Sequence, residues 1–512
     1  MSLLGIDVGT TGCKAAAFSE RGDCLAAAYR EYPTLRPHEG WAELDSRHVW
    51  AQVRAVIAEV AGKAHADPVR ALSVSTLGEA VTPVSRGREI LGPCILSSDL
   101  RGSEFIEELR ESVSQDEFYA INPNLLGPQY SLPKLLWLKR YRPELYERAD
   151  LFLLWGDLVT FLLGCDPLTS YSHANRTLLF DIRREDWSDR LLALTGIPRD
   201  KLAAPVPSGT VAGTVADGVA SELNLPRGVA VVVGGHDQCC NSLGAGIFRT
   251  GSAVCGIGTF ECITPTFDRI PDPALMLAQG LNIEHHVLPG LFVSFIYNQA
   301  GSLVRWFRDT FASADQANAG APQDFYNRLS REMPPEPTRL FVLPYFEITG
   351  PPSFVVDASG VILGLKTSTT RGEILKAIME CTTLYFVDSI RALQEMGMDM
   401  SEFIATGGGA RSDQWLQIKA DIFGLPFVRP RVIEGSVLGA AVLAGIATGA
   451  FEGTAGGVSR FVRRDRVFEP DAARHRLYRE KLEEYRRLFP LLRDFLAHQE
   501  RAKRSADSSG RG

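Results

Sequence analysis

The sequence predicts an α/β protein of two large domains built on a duplicated core. Three observations lead there. The chain has 512 residues, more than one hydrophobic core usually organises. Apolar strand-like runs alternate with amphipathic helical segments, the pattern of sheets covered on their faces. Two strand-rich passages also share a layout, each setting a Gly-Thr pair, Gly9-Thr10 and Gly258-Thr259, in a turn between two apolar runs. Such self-similarity is how duplication shows in a sequence.

The elements follow in order. "LLGIDV", "CKAAAF" and "CLAAAY", separated by the turns "GTTG" and "ERGD", read as consecutive strands of a meander. Asp45 is placed as an N-cap, and Val49, Trp50, Val53, Val56, Ile57 and Val60 then recur at helical spacing. "ALSVS" (71–75) is a buried strand. "VVVGGHDQCCNSLGAG" (231–246) drives an apolar strand into two glycines and seats His236, Asp237 and Gln238 where a helix of small residues begins. The Gly-rich "GAGIFRTGS" (244–252) is the hinge candidate, dividing the chain into domains 1–247 and 252–495. "GSAVCGIGTFECITPTF" (251–267) repeats the opening layout. Thr370 and Glu373 form a capping box for a helix carrying Ile374, Leu375, Ile378, Leu384, Tyr385 and Ile390, stopped at Gly397. "EFIAT" leads through "GGGARS" into another helix ending at Gly424. The polar end of the chain, 496–512, is expected to be a disordered tail.

Composition excludes several classes. The formal net charge is -7, which argues against a nucleic-acid or anionic-membrane surface. Nine cysteines without a C-x-x-C pair point to buried thiols in a reducing compartment rather than disulfides or zinc. The first residues lack the basic run and apolar core of a secretory signal, and the longest apolar stretch, "VLGAAVLAGIATGA" (437–450), is too short to span a bilayer. The expectation is a cytoplasmic protein with no nucleic-acid or membrane partner.

The chemistry lies in Gly-rich turns, which let a main chain approach phosphates closely. A P-loop is absent, and no G-x-G-x-x-G follows a strand. Instead there are "DVGTTGCK", "GIGTFE" and "TGGGARS". The first offers a carboxylate, Asp7, two hydroxyls, Thr10 and Thr11, and a cation, Lys14, the set a magnesium nucleotide needs. Taken singly, Lys14 is also accounted for as a solvated hairpin charge and Asp237 as an ordinary helix N-cap. His236, His285 and His286 lack the spacing of a metal site; His236 is expected to donate to a substrate oxygen or to orient Asp237.

Taken together, these motifs and their order resemble the FGGY carbohydrate kinases, in particular the fuculokinase- and xylulokinase-like branch. The resemblance runs over almost the whole chain. It includes "GIDVGTTGCK", "GWAELD", "GGHDQ", "GVILGLKTSTTRGEILKAIME", "ATGGGARSDQWLQIKADIFGLP", "EGSVLGAAVLAG" and "FEPD". It implies two duplicated actin-like (ribonuclease H-like) ATPase domains with a cleft between them, and ATP-dependent phosphorylation of a sugar hydroxyl. Asp237 matches the family's catalytic base, Asp7 faces Mg2+ through water, and Thr10, Thr11, Lys14, Thr259, Gly301, Gly409, Ala410 and Asp413 surround ATP, with Asp413 standing where relatives often carry asparagine. Set at a helix N-terminus, Asp237 is expected to stay ionised and to be a weak base. Glu79, Asp99, Arg101, His236 and Gln238 are assigned to the sugar. The pocket departs from relatives: "STLGEAVTP" replaces their usual segment, Ser97 stands where most carry tryptophan, and Gln129 is also unusual. A ketopentose or deoxyketohexose is the expected small-molecule substrate, with a polyol or aldonate as the alternative. A homodimer is compatible with the sequence. An inactive sugar or nucleotide sensor on the same fold would be expected to have lost Asp237 or the first phosphate motif, and both are present.

Overall fold

Strand β1 (Ser2–Val8), β2 (Gly12–Ser19) and β3 (Cys24–Glu31) pair antiparallel in sequence order, the expected meander. The computed structural model describes residues 1–313, 322–346, 349–350, 355 and 357–509. Helix α1 (Ser46–Lys63) starts at Asp45, whose side chain accepts from the amides of Arg47 and His48, and it buries Val49, Val53, Val56, Ile57 and Val60. Its apolar face packs on β2 and β3. Strands β4 (Val69–Thr76), β5 (Val211–Thr214) and β6 (Ala230–His236) complete a six-stranded sheet in the order β5-β6-β4-β1-β2-β3. The short helix α2 (Tyr171–Asn175) and helix α3 (Asp237–Gly244) sit at its edge and end.

The second sheet repeats this plan. Strands β7 (Gly251–Ile257) and β8 (Phe260–Phe267) form the hairpin, followed by β9 (Glu284–His285), β10 (Phe292–Val293), β11 (Ile296–Gln299) and helix α4 (Gly301–Phe311). After helix α5 (Arg371–Glu395) come β12 (Met400–Thr406), helix α6 (Asp413–Phe423), β13 (Phe427–Pro430), helix α7 (Gly435–Ala447), β14 (Arg464–Phe468) and helix α8 (Ala472–Ser509). In the first sheet β1, β4 and β6 run parallel beside the β1–β2 hairpin, with β5 antiparallel at the edge. In the second, β7, β12 and β13 run parallel beside the β7–β8 hairpin, with β14 antiparallel at the edge. The duplication legible in two Gly-Thr turns therefore extends to whole sheets.

Residues 244–252 do mark where the chain passes from one sheet to the other, but α7, far along the second half, returns to pack on β1, β4 and α3. Glycines permit this. A Cβ at Gly5 would strike the Val437 carbonyl, one at Gly244 the Gly435 carbonyl, and one at Gly439 the Cys240 carbonyl. Most of the apolar run 437–450 thus lies in a helix, ending at Ala447, buried between two layers. In the segment expected to be a tail, Leu496 and Ala497 are buried and α8 continues through Ser509. Residues 510–512 lie outside the described residues.

Candidate active site

Strand β6 ends at His236 and α3 begins at Asp237. The glycines before that junction allow close approach: a Cβ at Gly234 would collide with the Val74 carbonyl, and one at Gly235 would crowd Ser172 and Val287. Asp237 is the first helical residue, one past the cap, so the ordinary N-cap reading fails. Its side chain keeps 30% of its surface exposed. Burial, and secondly the charge of Asp7, lift its carboxyl to about 7. This reverses the expectation that a helix N-terminus keeps it ionised and weakly basic; desolvation outweighs the helix dipole here.

Asp7 lies near the end of β1, opposite Lys14 in the β1–β2 ladder. Ser75 Oγ donates to it at 2.8 Å, and burial raises it to about 6. Lys14 pairs with Glu434, which precedes α7, so a residue of the second half reaches the first phosphate motif. Thr10, Thr11 and Thr259 are exposed at the tips of their two turns. Gly301 opens α4 against the Gly258 carbonyl, where a Cβ would clash. Gly258, Thr259, Gly301 and Gly409 line a cavity of about 370 Å3 together with the apolar Ile257, Val304, Leu375, Met379 and Trp415. Ala410 is buried beneath that turn. Asp413 is drawn away from the cavity: Arg429 and Arg466 hold its two oxygens at 2.7 and 2.5 Å, and it lines a separate concavity.

On the other side of Asp237, Glu79 is nearly buried and ion-paired with Arg176, which also binds Glu284 at 2.7 Å. Arg176 lies between the rings of Tyr130 and Phe295, 5.3 and 5.8 Å from their centroids. Arg176 Nε, His236 Nδ1, Gln238 Oε1 and Glu284 Oε2 are buried with no hydrogen-bond partner. Buried polar atoms are rarely left so, and a ligand rich in hydroxyls would satisfy several of them. Gln129 lines a small closed cavity next to Arg176 with Tyr130, Asn282 and Tyr297.

Asp99 and Arg101 do not join this cluster. Asp99 is fully buried and accepts from the Ala42 amide and from Arg101, while Arg101 also pairs with Glu43 and stacks between Trp41 and Trp137. Their hydrogen-bonding capacity is taken up by one another, by the Ala42 amide and by Glu43. Sequence reasoning missed Arg176 and Glu284. Arg176 stood in "HANRT" without a partner to give it meaning, and Glu284 was passed over beside the more conspicuous His285-His286. Those histidines face elsewhere: His285 Nε2 lies 3.2 Å from the Ile182 carbonyl, and His286 Nδ1 accepts from the Leu288 amide.

Among the described residues no three His, Cys, Asp or Glu side chains converge as a metal cage. A magnesium ion carried by a nucleotide needs only one or two carboxylates and keeps several waters. Asp7, with Ser75 as its one hydrogen-bond donor among the described residues, fits that demand.

Residues 2–244 match the N-terminal domain of the FGGY family of carbohydrate kinases, and residues 282–448 match its C-terminal domain. The chain belongs to this family. It is 28% identical to the xylulose kinase of Bacillus subtilis (strain 168) over 501 residues, covering 97% of each chain. It is 30% identical to the glycerol kinase of Citrifermentans bemidjiense over 500 residues, covering 94% of this chain and 96% of that one. The crystal structure of xylulose kinase from Rhodospirillum rubrum superposes with a TM-score of 0.87 at 28% identity, covering 97% of this chain and 100% of that chain. The FGGY chain is accordingly a phosphotransferase with the actin-like two-domain fold, and its family implies ATP and a small sugar-type substrate. Among the described residues no helix is long and apolar enough to cross a membrane.

Proposed function

We propose that this FGGY kinase transfers the γ-phosphoryl group of magnesium ATP to a hydroxyl of a ketopentose or deoxyketohexose, with Asp237 as general base. The observation that carries the reading is the placement of Asp237. Its carboxyl, held near 7, stands between the Asp7 side of the cleft and the unsatisfied cluster around Arg176. A base with a pKa near the working pH combines the ionised state with appreciable proton affinity. Phosphoryl transfer is largely dissociative, so orienting the hydroxyl and neutralising charge carry most of the rate gain.

In this reading Thr10, Thr11 and Lys14 meet the phosphates from the first domain, and Thr259, Gly301 and the Gly409-Ala410 turn hold the nucleotide from the second. Mg2+, bound with the nucleotide, would screen the phosphate charge, with Asp7 facing it. Lys14 must then exchange Glu434 for phosphate oxygens. Glu79, Gln238 and Arg176 face the sugar. Asp413, tied to two arginines, is left out of the nucleotide's contacts.

The ketose is favoured over an aldonate by charge. The partly buried Arg176 and the buried Arg101, the two arginines assigned to or found near the sugar, are each already shared between two carboxylates. Neither offers an uncommitted cation to a carboxylate ligand. A screen of ADP release across pentuloses, deoxyhexuloses, polyols and aldonates tests this. The highest specificity constant should belong to a ketose, and an aldonate or glycerol ranking first would overturn the substrate reading.

A further inference from the structure

Asp413, drawn off the nucleotide cavity, belongs to a second concavity of about 560 Å3 that is also lined by Asp465 and by Arg331, Arg411, Arg429 and Arg431. Its cations outnumber its acids. Both aspartates are already engaged: Asp465 accepts from Arg429 Nε at 2.8 Å, and Asp413 accepts from Arg429 and Arg466. Arg331, Arg411 and Arg431 are exposed, and among the described residues none of their side chains makes an ion pair or a hydrogen bond. Three elements bring them together. Arg331 ends the helix Pro322–Arg331, Arg411 ends the turn Gly408–Arg411 after β12, and Arg431 follows β13, where its amide donates to the Arg463 carbonyl at 2.8 Å.

A chain whose net charge is -7 thus gathers uncompensated positive charge at one place. Helix α6 begins at Asp413, so the positive end of its dipole adds to the same field. A concavity lined mainly by one sign of charge concentrates ions of the other sign, and guanidinium groups bind phosphate oxygens through paired N–H donors. The ligand class follows: a small molecule carrying several phosphate charges, enough to engage three free arginines. Arg411 gives the concavity a consequence, because it lines the nucleotide cavity as well. Drawn onto an anion on one side, its guanidinium is lost to the other.

We propose that the concavity of Arg331, Arg411 and Arg431 is an effector site for a small multivalent phosphate, and that its occupancy weakens nucleotide binding through Arg411. The coupling rests on the neighbouring cavity holding the nucleotide. The anion site itself does not.

The test uses the full chain, with inorganic pyrophosphate as the probe and calorimetry at constant ionic strength. Pyrophosphate should bind saturably, and inorganic phosphate, with fewer charges, about tenfold more weakly or worse. Replacing Arg331 and Arg431 together by glutamine should weaken pyrophosphate about tenfold or more, since each removes a charge-assisted contact. Both side chains are exposed and unpaired, so kcat and KM without pyrophosphate should stay within about twofold of wild type. The Kd of a non-hydrolysable ATP analogue should rise about fivefold or more with pyrophosphate and then level off, as coupling between two sites requires. Arg411→Gln should abolish that rise at saturating pyrophosphate. Absence of saturable binding, binding unchanged in the double variant, or a Kd that climbs without limit, the mark of direct competition for the nucleotide's phosphate turns, overturns the proposal. A Kd unmoved while pyrophosphate is bound overturns the coupling. A chain that binds pyrophosphate through these arginines but no nucleotide would sink the assignment of the neighbouring cavity and leave the anion site standing.

Discussion

Asp237 concentrates the residue-scale consequences. Asp237→Asn should leave ATP binding intact and lower turnover about 100- to 10,000-fold, the scale for a general base, or roughly 3–5 kcal/mol of barrier; a variant within about threefold of wild type would exclude the role. The base must be ionised, and the carboxyl sits at about 7, so kcat/KM should fall tenfold per pH unit below that value. A stability effect of opposite sense follows. Unfolded, this aspartate ionises near 3.9; folded, it holds its proton up to about 7. The unfolded chain binds fewer protons between those values, so stability falls as pH rises through that window and the loss persists above it. Asp237→Asn removes the penalty and should raise the melting temperature at pH 8 more than at pH 4, and an equal shift at both would refute the burial argument. Ser97 supplies a further test. Ser97→Trp installs the large apolar side chain that the family resemblance leads one to expect there, and the ratio of specificity constants should move toward smaller substrates such as glycerol.

At the scale of elements, α8 is tied to the second domain by a buried polar cluster. Lys481 and Tyr478 bind Glu380 of α5 at 2.6 and 2.8 Å, all three nearly or fully buried. Thr338 Oγ1 donates to the same carboxylate at 2.6 Å. Removing one partner of such a group leaves a buried charge poorly compensated, at a cost of about 3–5 kcal/mol. Lys481→Met should therefore lower the unfolding free energy by about that amount, read as a lower urea midpoint at unchanged m, and loosen α8 against proteolysis. An unchanged midpoint would mean that α8 contributes little to the fold. The capping box of α5 was legible because its signals are local: Thr370 and Glu373 satisfy each other's backbone amides.

Across the whole molecule, the turns proposed to meet the phosphates come from both sheets, Thr10 and Lys14 beside the first and Thr259 and Gly409 beside the second. The layers meet through α3 and α7, backbone against backbone at Gly244, Gly435 and Gly439. Sugar and nucleotide together should close the cleft, excluding water and limiting wasteful ATP hydrolysis. Small-angle scattering with substrate and a non-hydrolysable nucleotide should show a smaller radius of gyration than the free protein. An unchanged radius with both ligands bound would rule out a large hinge motion.

By itself the sequence determined the α/β class, the duplication, the main helix starts and stops, and the position of Asp237 at a strand end. All of these follow from patterns within a few residues: apolar period, caps, and glycine turns repeated at two places. Only the tertiary structure decided which polar groups share a site. It took Asp99 and Arg101 out of the cluster by pairing them with each other, drew Asp413 toward Arg429 and Arg466, and brought Arg176 and Glu284 beside Glu79 and His236. Apart from Asp99 and Arg101, near neighbours in sequence, those partners are well separated along the chain, and a pKa or a free lone pair depends on what surrounds it after folding. Asp237 is the clearest case. Its helix position was readable from neighbours in sequence, but burial and Asp7, more than two hundred residues earlier in the chain, turned a carboxylate expected to be a weak base into one poised near neutrality.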